Sequence, residues 1–333
     1  MLSSLLVMAH AYSEDQLVEQ PAIALLSTLG WQTTSAINEI LGAGGTLGRE
    51  TKGEAVLFPR LRIALERLNP SLPPEALSQA IDQLTRNRSA MSLAAANREV
   101  YGLLKDGVEV SVTDAKTAGQ EPKRVRVIDW ENPTANDFLL VSQFSVTGTL
   151  YTRRPDLVGF VNGLPLVVIE LKKPGVPAQQ ALDDNLTCYK ADIPQLFWFS
   201  GLMIVSNGTE SRVGSLTADW DRFFEWKRIE REDEPRRVSL EVMLRGTCEP
   251  TRLLDLLENF TLFSEHKAGL VKVLGQNHQF LGCPETRART GRRVLADAGL
   301  RQEFRDGVLC SEDSPQDSRR LDFRGGDRSG GTR

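Results

Sequence analysis

The chain has 333 residues, of which 41% are hydrophobic and 25% charged, and a formal net charge of −4. That is the composition of a soluble globular protein with a real core, in one large or two ordinary domains. It excludes a transmembrane chain, because no apolar run is long enough to span a bilayer, and a free-standing nonspecific DNA binder, which would be basic. Met1–Met8 is mildly apolar but has neither a basic n-region nor a long h-region, so no signal peptide and a cytoplasmic location are expected. Ser13 followed by Gln16 is a capping-box pattern opening a helix, with Val18, Ala22, Leu25 and Leu29 on one face and Gly30 as a stop. Pro21 predicts a kink or a fresh start within it. Residues 54–104 read as helical, broken at Pro70 to Pro74. Asp106-Gly107 then turns into a strand at Val108 to Val112, and Thr113 to Lys123 is a polar loop.

From Arg124 to Gly208 the texture changes to short β-rich runs. Arg124 to Asp129 alternates polar and apolar, and Phe138 to Val146 is a further candidate strand. Leu157 to Val161 and Leu166 to Leu171 are the strongest strands, separated by the hairpin signal Asn162-Gly163. Pro177 opens a helix that runs to about Lys190, and Leu202 to Val205 is a short buried strand. Residues 251–275 read as helix again. The fold class is therefore α/β, a mixed sheet flanked by helices, with a helical N-terminal part. Beyond Cys283 the chain is arginine-rich, contains no lysine and cannot build a core, so a disordered C-terminal tail is expected over 283–333.

Cys188, Cys248, Cys283 and Cys310 form no CxxC pair and read as isolated reduced thiols. His10, His266 and His278 are scattered, with no H-x-x-x-H or H-E-x-x-H, so histidine-based metal hydrolysis has no support.

The segment that carries chemistry runs from Arg154-Pro155-Asp156 to Glu170-Leu171-Lys172-Lys173-Pro174. Strand side chains alternate, so Glu170 and Lys172 face one way while Ile169 and Leu171 face the other. A two-residue hairpin loop would set Asp156 opposite Ile169, on the wrong face. A three-residue loop would set it opposite Glu170, and the longer loop is predicted. Two carboxylates on one face can hold a hard divalent cation such as Mg²⁺, and Lys172 can place a water or offset charge in a transition state. The competing reading is a hairpin with solvated charges at its end. Against it, the acid and the base interrupt an otherwise apolar run, Leu166-Val167-Val168-Ile169, where charge is costly without a purpose.

This stretch resembles the PD-(D/E)xK nuclease motif. The wider sequence, from about Ser13 to Gly282, is similar to the N-terminal nuclease region of the restriction subunits of type I restriction enzymes. Glu19 with Leu29-Gly30-Trp31 resembles the first helix of that family, whose glutamate approaches the metal site. Ala95 to Asn97, Tyr101 to Leu104 and Asp106 to Val108 resemble the stretch before the first sheet strand. Tyr189, Pro194 and Leu196-Phe197 resemble the helix after the active strands, and Ser206-Asn207-Gly208 and Phe223 to Trp226 also fit. The family often carries Gln-x-x-x-Tyr on that helix; this chain has Asn185 four residues before Tyr189, so the amide is kept one methylene shorter and still shares a helix face with the tyrosine.

The resemblance implies a restriction-endonuclease-like domain over 1–262, with a helical insertion at about 34–104 and a catalytic core at about 106–230, and a helical lead-in to a motor over 263–282. It implies Mg²⁺ held by Asp156, Glu170 and Glu19, with Lys172 assisting water attack and Asn185 and Tyr189 positioning the site or the DNA. The substrate it implies is double-stranded DNA, and the partners are a modification (methyltransferase) subunit and a specificity subunit. The full-length family also uses ATP, through a motor with a G-x-x-x-x-G-K-[ST] loop; no Gly-Lys pair occurs in these residues. A truncated product, read out of frame after Cys283, is therefore expected. Two other functions stay open on this reading: a non-catalytic docking fragment and a stand-alone PD-(D/E)xK nuclease that needs no motor.

Overall fold

The computed structural model describes residues 14–113, 119–231, 233–235, 237–267 and 269–282. Ser13, the middle of the expected polar loop at 114–118 and the expected tail at 283–333 lie outside the described residues.

In chain order the strands are β1 (Gln32–Ser35), β2 (Val108–Thr113), β3 (Gln120–Val125), β4 (Phe138–Ser142), β5 (Val146–Thr147), β6 (Thr152–Arg153), β7 (Leu157–Val161), β8 (Leu164–Leu171), β9 (Leu202–Ser206), β10 (Ser211–Gly214), β11 (Thr261–His266) and β12 (Gly269–Leu274). Six of them form the central sheet in the order β1-β4-β7-β8-β9-β10. It is mixed, as expected: β1 with β4 and β8 with β9 are parallel, and the other neighbours are antiparallel. Strands β4, β7, β8 and β9 are buried along their whole length. Continuous apolar runs of this kind are what a sheet covered on both faces requires. Leu139, Val141, Val158, Phe160, Val168, Met203 and Val205 pack on one face against Leu182, Leu186, Ile193 and Phe197.

The first helical segment is a π-helical turn, Asp15–Glu19, that runs into an α-helix at Gln20–Thr28. Pro21 sits in the first turn of that α-helix, where its missing N–H is no loss, so it marks a fresh start. The helical region is three helices, Phe58–Leu68, Pro74–Thr85 and Leu93–Asp106. Their boundaries follow chain chemistry: prolines lie in the first turn of the first two, and Ser92 caps the third by accepting from the Ala95 N–H at 3.3 Å.

Three expectations are corrected. Gln120 to Lys123 of the expected polar loop belong to strand β3, which pairs with β2; the alternating stretch from Arg124 is strand only as far as Val125. Residues 261–274, read as a continuing helix, are the β11–β12 hairpin, so half of the segment read as a helical lead-in is β; the helix there is Pro250–Asn259, and among the described residues beyond the hairpin the helical stretch is Asn277–Gly282. A short run such as Leu270 to Leu274, four apolar residues about Lys272, carries no helix-specific period, and its valines suit a strand.

The third correction concerns the active hairpin. Its loop is the two residues Asn162-Gly163, both with positive φ (51° and 79°), and Val161 pairs directly with Leu164. The register shifts inside the strands. Phe160 pairs with Pro165 but Gly159 pairs with Val167, so Leu166 is the extra residue of a β-bulge. Pro165 has no N–H to give a regular ladder, which makes this the place where the ladder can be broken. From the bulge onward Leu157 pairs with Ile169, and Asp156 falls opposite Glu170. The predicted pairing is present and the predicted loop is not.

Candidate active site

The site forms where β7 begins and β8 ends. Asp156 precedes β7, and its Oδ2 accepts the Leu171 N–H at 2.8 Å. Glu170 is 2% exposed, so its carboxylate depends on neighbours rather than water. Its Oε2 lies 3.5 Å from the Asp156 backbone N–H, and its Oε1 accepts from the Tyr189 hydroxyl at 3.2 Å and from the Asn185 amide. Lys172 leaves the strand on the same face as Glu170, and its Nζ donates to Asn185 Oδ1 at 2.7 Å. Asn185 and Tyr189 come from the helical stretch made of a π-helical segment, Ala181–Leu186, and an α-helix, Thr187–Asp192. They share a face, and the Asn185 amide reaches the Tyr189 hydroxyl at 3.2 Å. The shorter amide therefore still reaches both strand-end residues.

Glu19 approaches from the first helical segment but is held one residue away. The Gln143 side-chain amide donates to both Glu19 carboxylate oxygens, at 3.1 and 3.0 Å. Gln143 lies just beyond β4, with a left-handed backbone (φ 58°), and its N–H donates to the Asp156 carbonyl at 2.7 Å. Among the described residues no three histidine, cysteine, aspartate or glutamate side chains converge in a way that could hold a metal ion. The structure thus joins Asp156, Glu170, Lys172, Asn185 and Tyr189 directly, and Glu19 only through Gln143. Sequence reading missed Gln143; its one signal is a long polar side chain, between Ser142 and Phe144, inside the candidate strand Phe138 to Val146.

Burial sets the electrostatics. It pushes the Asp156 carboxyl up to about 6, against the Leu171 N–H bond that pulls it down. It holds Glu170 well above the usual carboxylate range, with the Asp156 charge adding to the rise and Lys172 opposing it. Burial likewise lifts Glu19 to about 7, against the Gln143 hydrogen bond, and raises the Tyr189 phenol, with the Glu170 charge adding. Two desolvated carboxyls side by side, with one lysine near, form a site short of positive charge. Oxygen donors on two carboxylates suit a hard cation that keeps several waters, so Asp156 and Glu170 fit Mg²⁺. The free thiols Cys188 and Cys248 take no part in these contacts.

An α/β domain whose mixed sheet presents a carboxylate pair and a lysine at one strand end is the class that fold and site define. Residues 11–222 match the family described as the type I restriction enzyme R protein N terminus, and the chain belongs to that family. It is 33% identical over 276 residues to the type I restriction enzyme HindI endonuclease subunit of Haemophilus influenzae, covering 80% of this chain and 26% of that protein. It is 31% identical over 317 residues to the putative type I restriction enzyme MjaIXP endonuclease subunit of Methanocaldococcus jannaschii, covering 86% of this chain and 29% of that protein. With the EcoprrI endonuclease subunit of Escherichia coli the identity is 29% over 154 residues, 45% of this chain and 49% of the relative. The chain therefore spans less than a third of the length of the first two relatives. Among the described residues no helix is long and apolar enough to cross a membrane.

Proposed function

We propose that this chain is the nuclease component of a type I restriction-modification system, a site-specific deoxyribonuclease of the PD-(D/E)xK kind that hydrolyses phosphodiester bonds of double-stranded DNA. The observation that carries the reading is the pair of half-buried Asp156 and buried Glu170, opposite each other across the bulged hairpin with Lys172 bonded into the same network.

Asp156 and Glu170 would hold Mg²⁺, which when bound lowers the pKa of a coordinated water and offsets charge on the phosphate. The Leu171 N–H fixes Asp156, and Tyr189 with Asn185 fixes Glu170, so neither carboxylate has to reorganise. Lys172 is held by Asn185 Oδ1 on the same strand face as Glu170, and there its ammonium would orient the attacking water and offset charge developing on the phosphate oxygens. Arg154 and Lys173 are exposed and flank the carboxylates in sequence, which suits contact with the phosphates on either side of the scissile one. The overall acidic charge leaves most of the DNA grip to modification and specificity subunits, and ATP use to the longer relatives' remaining length. A cytoplasmic setting follows from this role.

The test is a calorimetric Mn²⁺ titration of the chain beside Asp156→Ala and Glu170→Ala. Mn²⁺ is an oxygen-site probe for Mg²⁺. Binding by the parent and loss in both variants is the expected result. Three identical titrations would sink the metal site and leave a docking module.

A further inference from the structure

Glu19 and Gln143 raise a question the nuclease reading does not answer. Family resemblance makes Glu19 a third metal ligand, yet both of its oxygens are taken by one amide. A non-glycine residue in the left-handed region is uncommon and carries strain, of order 1 kcal/mol. At Gln143 the left-handed backbone turns its N–H onto the Asp156 carbonyl at 2.7 Å while its side chain spans to the helical segment at Asp15–Glu19. Gln143 is half-buried and belongs to no apolar cluster, so packing does not explain why a long amide sits there. Glu19 is 7% exposed, and a carboxylate so buried needs partners for both oxygens.

We propose that Gln143 and Glu19 are positioning residues that form a clasp, through which the first helical segment fixes the Asp156 end of β7, and that Glu19 acts through Gln143 rather than as a ligand of the cation. This rests on the metal-site reading given above. The clasp has three joints: the Asp156 carbonyl to the Gln143 N–H, the Gln143 backbone to its own side chain, and the amide to the two Glu19 oxygens. Removing either end frees the segment that precedes Asp156, and so loosens the carboxylate pair without removing a donor from it.

Substitutions separate a clasp from a ligand. Glu19→Gln keeps an oxygen for the Gln143 amide and removes the charge. Gln143→Gly removes the side chain and the backbone strain together, so relief of the left-handed cost partly offsets the loss of the Glu19 partner, and its melting temperature is expected to fall less than that of Gln143→Ala. On the full chain, Mn²⁺ calorimetry should show Glu19→Gln within about threefold of the parent. Glu19→Ala and Gln143→Gly should each weaken binding about tenfold, the range for loss of a residue that orients ligands. The double variant Glu19→Ala with Gln143→Gly should be no weaker than either single change. A Glu19→Gln loss as large as that of Asp156→Ala would overturn the clasp and make Glu19 a ligand. Parental affinity in Gln143→Gly would overturn it as well. If the parent itself binds no Mn²⁺, the nuclease reading fails, and the clasp is decided by metal-free melting of the parent, Glu19→Ala, Gln143→Gly and the double variant: shifts that fail to add support it, and additive shifts overturn it.

Discussion

Lys172 and Asn185 meet where the strand end faces the helix: the lysine Nζ donates to Asn185 Oδ1 at 2.7 Å, and the amide nitrogen of the same residue donates to Glu170. One side-chain amide therefore bridges the base and the acid, with its carbonyl toward the cation and its NH₂ toward the carboxylate. The Tyr189 hydroxyl closes the arrangement on Glu170 at 3.2 Å.

That bridge makes Asn185 testable in both directions. Asn185→Ala is expected to weaken Mn²⁺ binding and cleavage by about 10–100-fold, because both strand-end groups lose their orientation. Asn185→Asp keeps an acceptor for Lys172 but sets a second oxygen against Glu170 in place of a donor. It should weaken Mn²⁺-free thermal stability more than alanine does, since a like charge is added beside a buried carboxylate. Melting curves and Mn²⁺ titrations of the two variants check this. An aspartate variant that melts above the alanine variant would show that Lys172 alone governs the site.

The hairpin turn predicts a stability effect away from the carboxylate pair. Asn162 is fully buried at φ 51°; its Oδ1 accepts the Asp137 N–H at 2.8 Å, and its amide donates to Val127 O and Asn136 Oδ1, each at 2.9 Å. Asn162→Ala keeps the backbone bend without the side chain that stabilises it and strands buried polar partners. A loss of about 2–4 kcal/mol is expected in urea unfolding, from the left-handed cost and the unsatisfied groups together. Asn162→Gly should lose less, because only the hydrogen bonds go. Equal losses in the two variants would show that the backbone conformation contributes nothing.

The strand pair was readable because short apolar, β-branched runs and Asn-Gly are local signals, and Glu170 and Lys172 had to share a face once β8 was a strand. The bulge at Leu166 was not readable: one inserted residue inside a continuous apolar run leaves the hydrophobic pattern intact, and only Pro165 hints at it. Gln143 was hidden for a different reason. Its role depends on a left-handed backbone and on a partner 124 residues away, and neither has a pattern in the sequence. The β11–β12 hairpin was missed because a five-residue run of four apolar side chains about Lys272 fits helix and strand alike.

Lys272, on that hairpin, gives the pH prediction. It is 2% exposed, its Nζ donates to Asn97 Oδ1 at 3.0 Å and Ser200 O at 2.7 Å, and burial lowers its ammonium from 10.5 to about 7. Between these two values the unfolded chain binds a proton that the folded chain has released. Stability should therefore rise as pH goes from about 7 toward 10.5, by at most about 1.4 kcal/mol per unit from this group. Below about 7 both states are protonated and the burial cost is fully present. Lys272→Met removes the titrating group, so the difference in unfolding free energy between variant and parent should change across that window. A constant difference would show that Lys272 keeps an ordinary ammonium.

Gly159 is where the bulge begins, and it links packing to the site. A Cβ there would lie 3.0 Å from two ring carbons of Trp31 and 3.1 Å from the Val167 Cβ. Trp31 cannot easily give way, because its Nε1 donates to Cys248 O at 2.8 Å and its ring meets Phe138 edge-on, with centroids 5.2 Å apart. Gly159→Ala is thus expected to cost about 1–3 kcal/mol, the range for overpacking a tight core. Relief is available if the strands slip back to a regular ladder, but that register sets Asp156 opposite Ile169 and parts it from Glu170. Mn²⁺ affinity should therefore fall by more than the loss of folded protein accounts for. Calorimetric melting together with Mn²⁺ titration reads both quantities. A variant that melts as the parent does would show that Trp31 has room to move, and one that melts lower yet binds Mn²⁺ normally would show that the bulge is held by something other than Gly159.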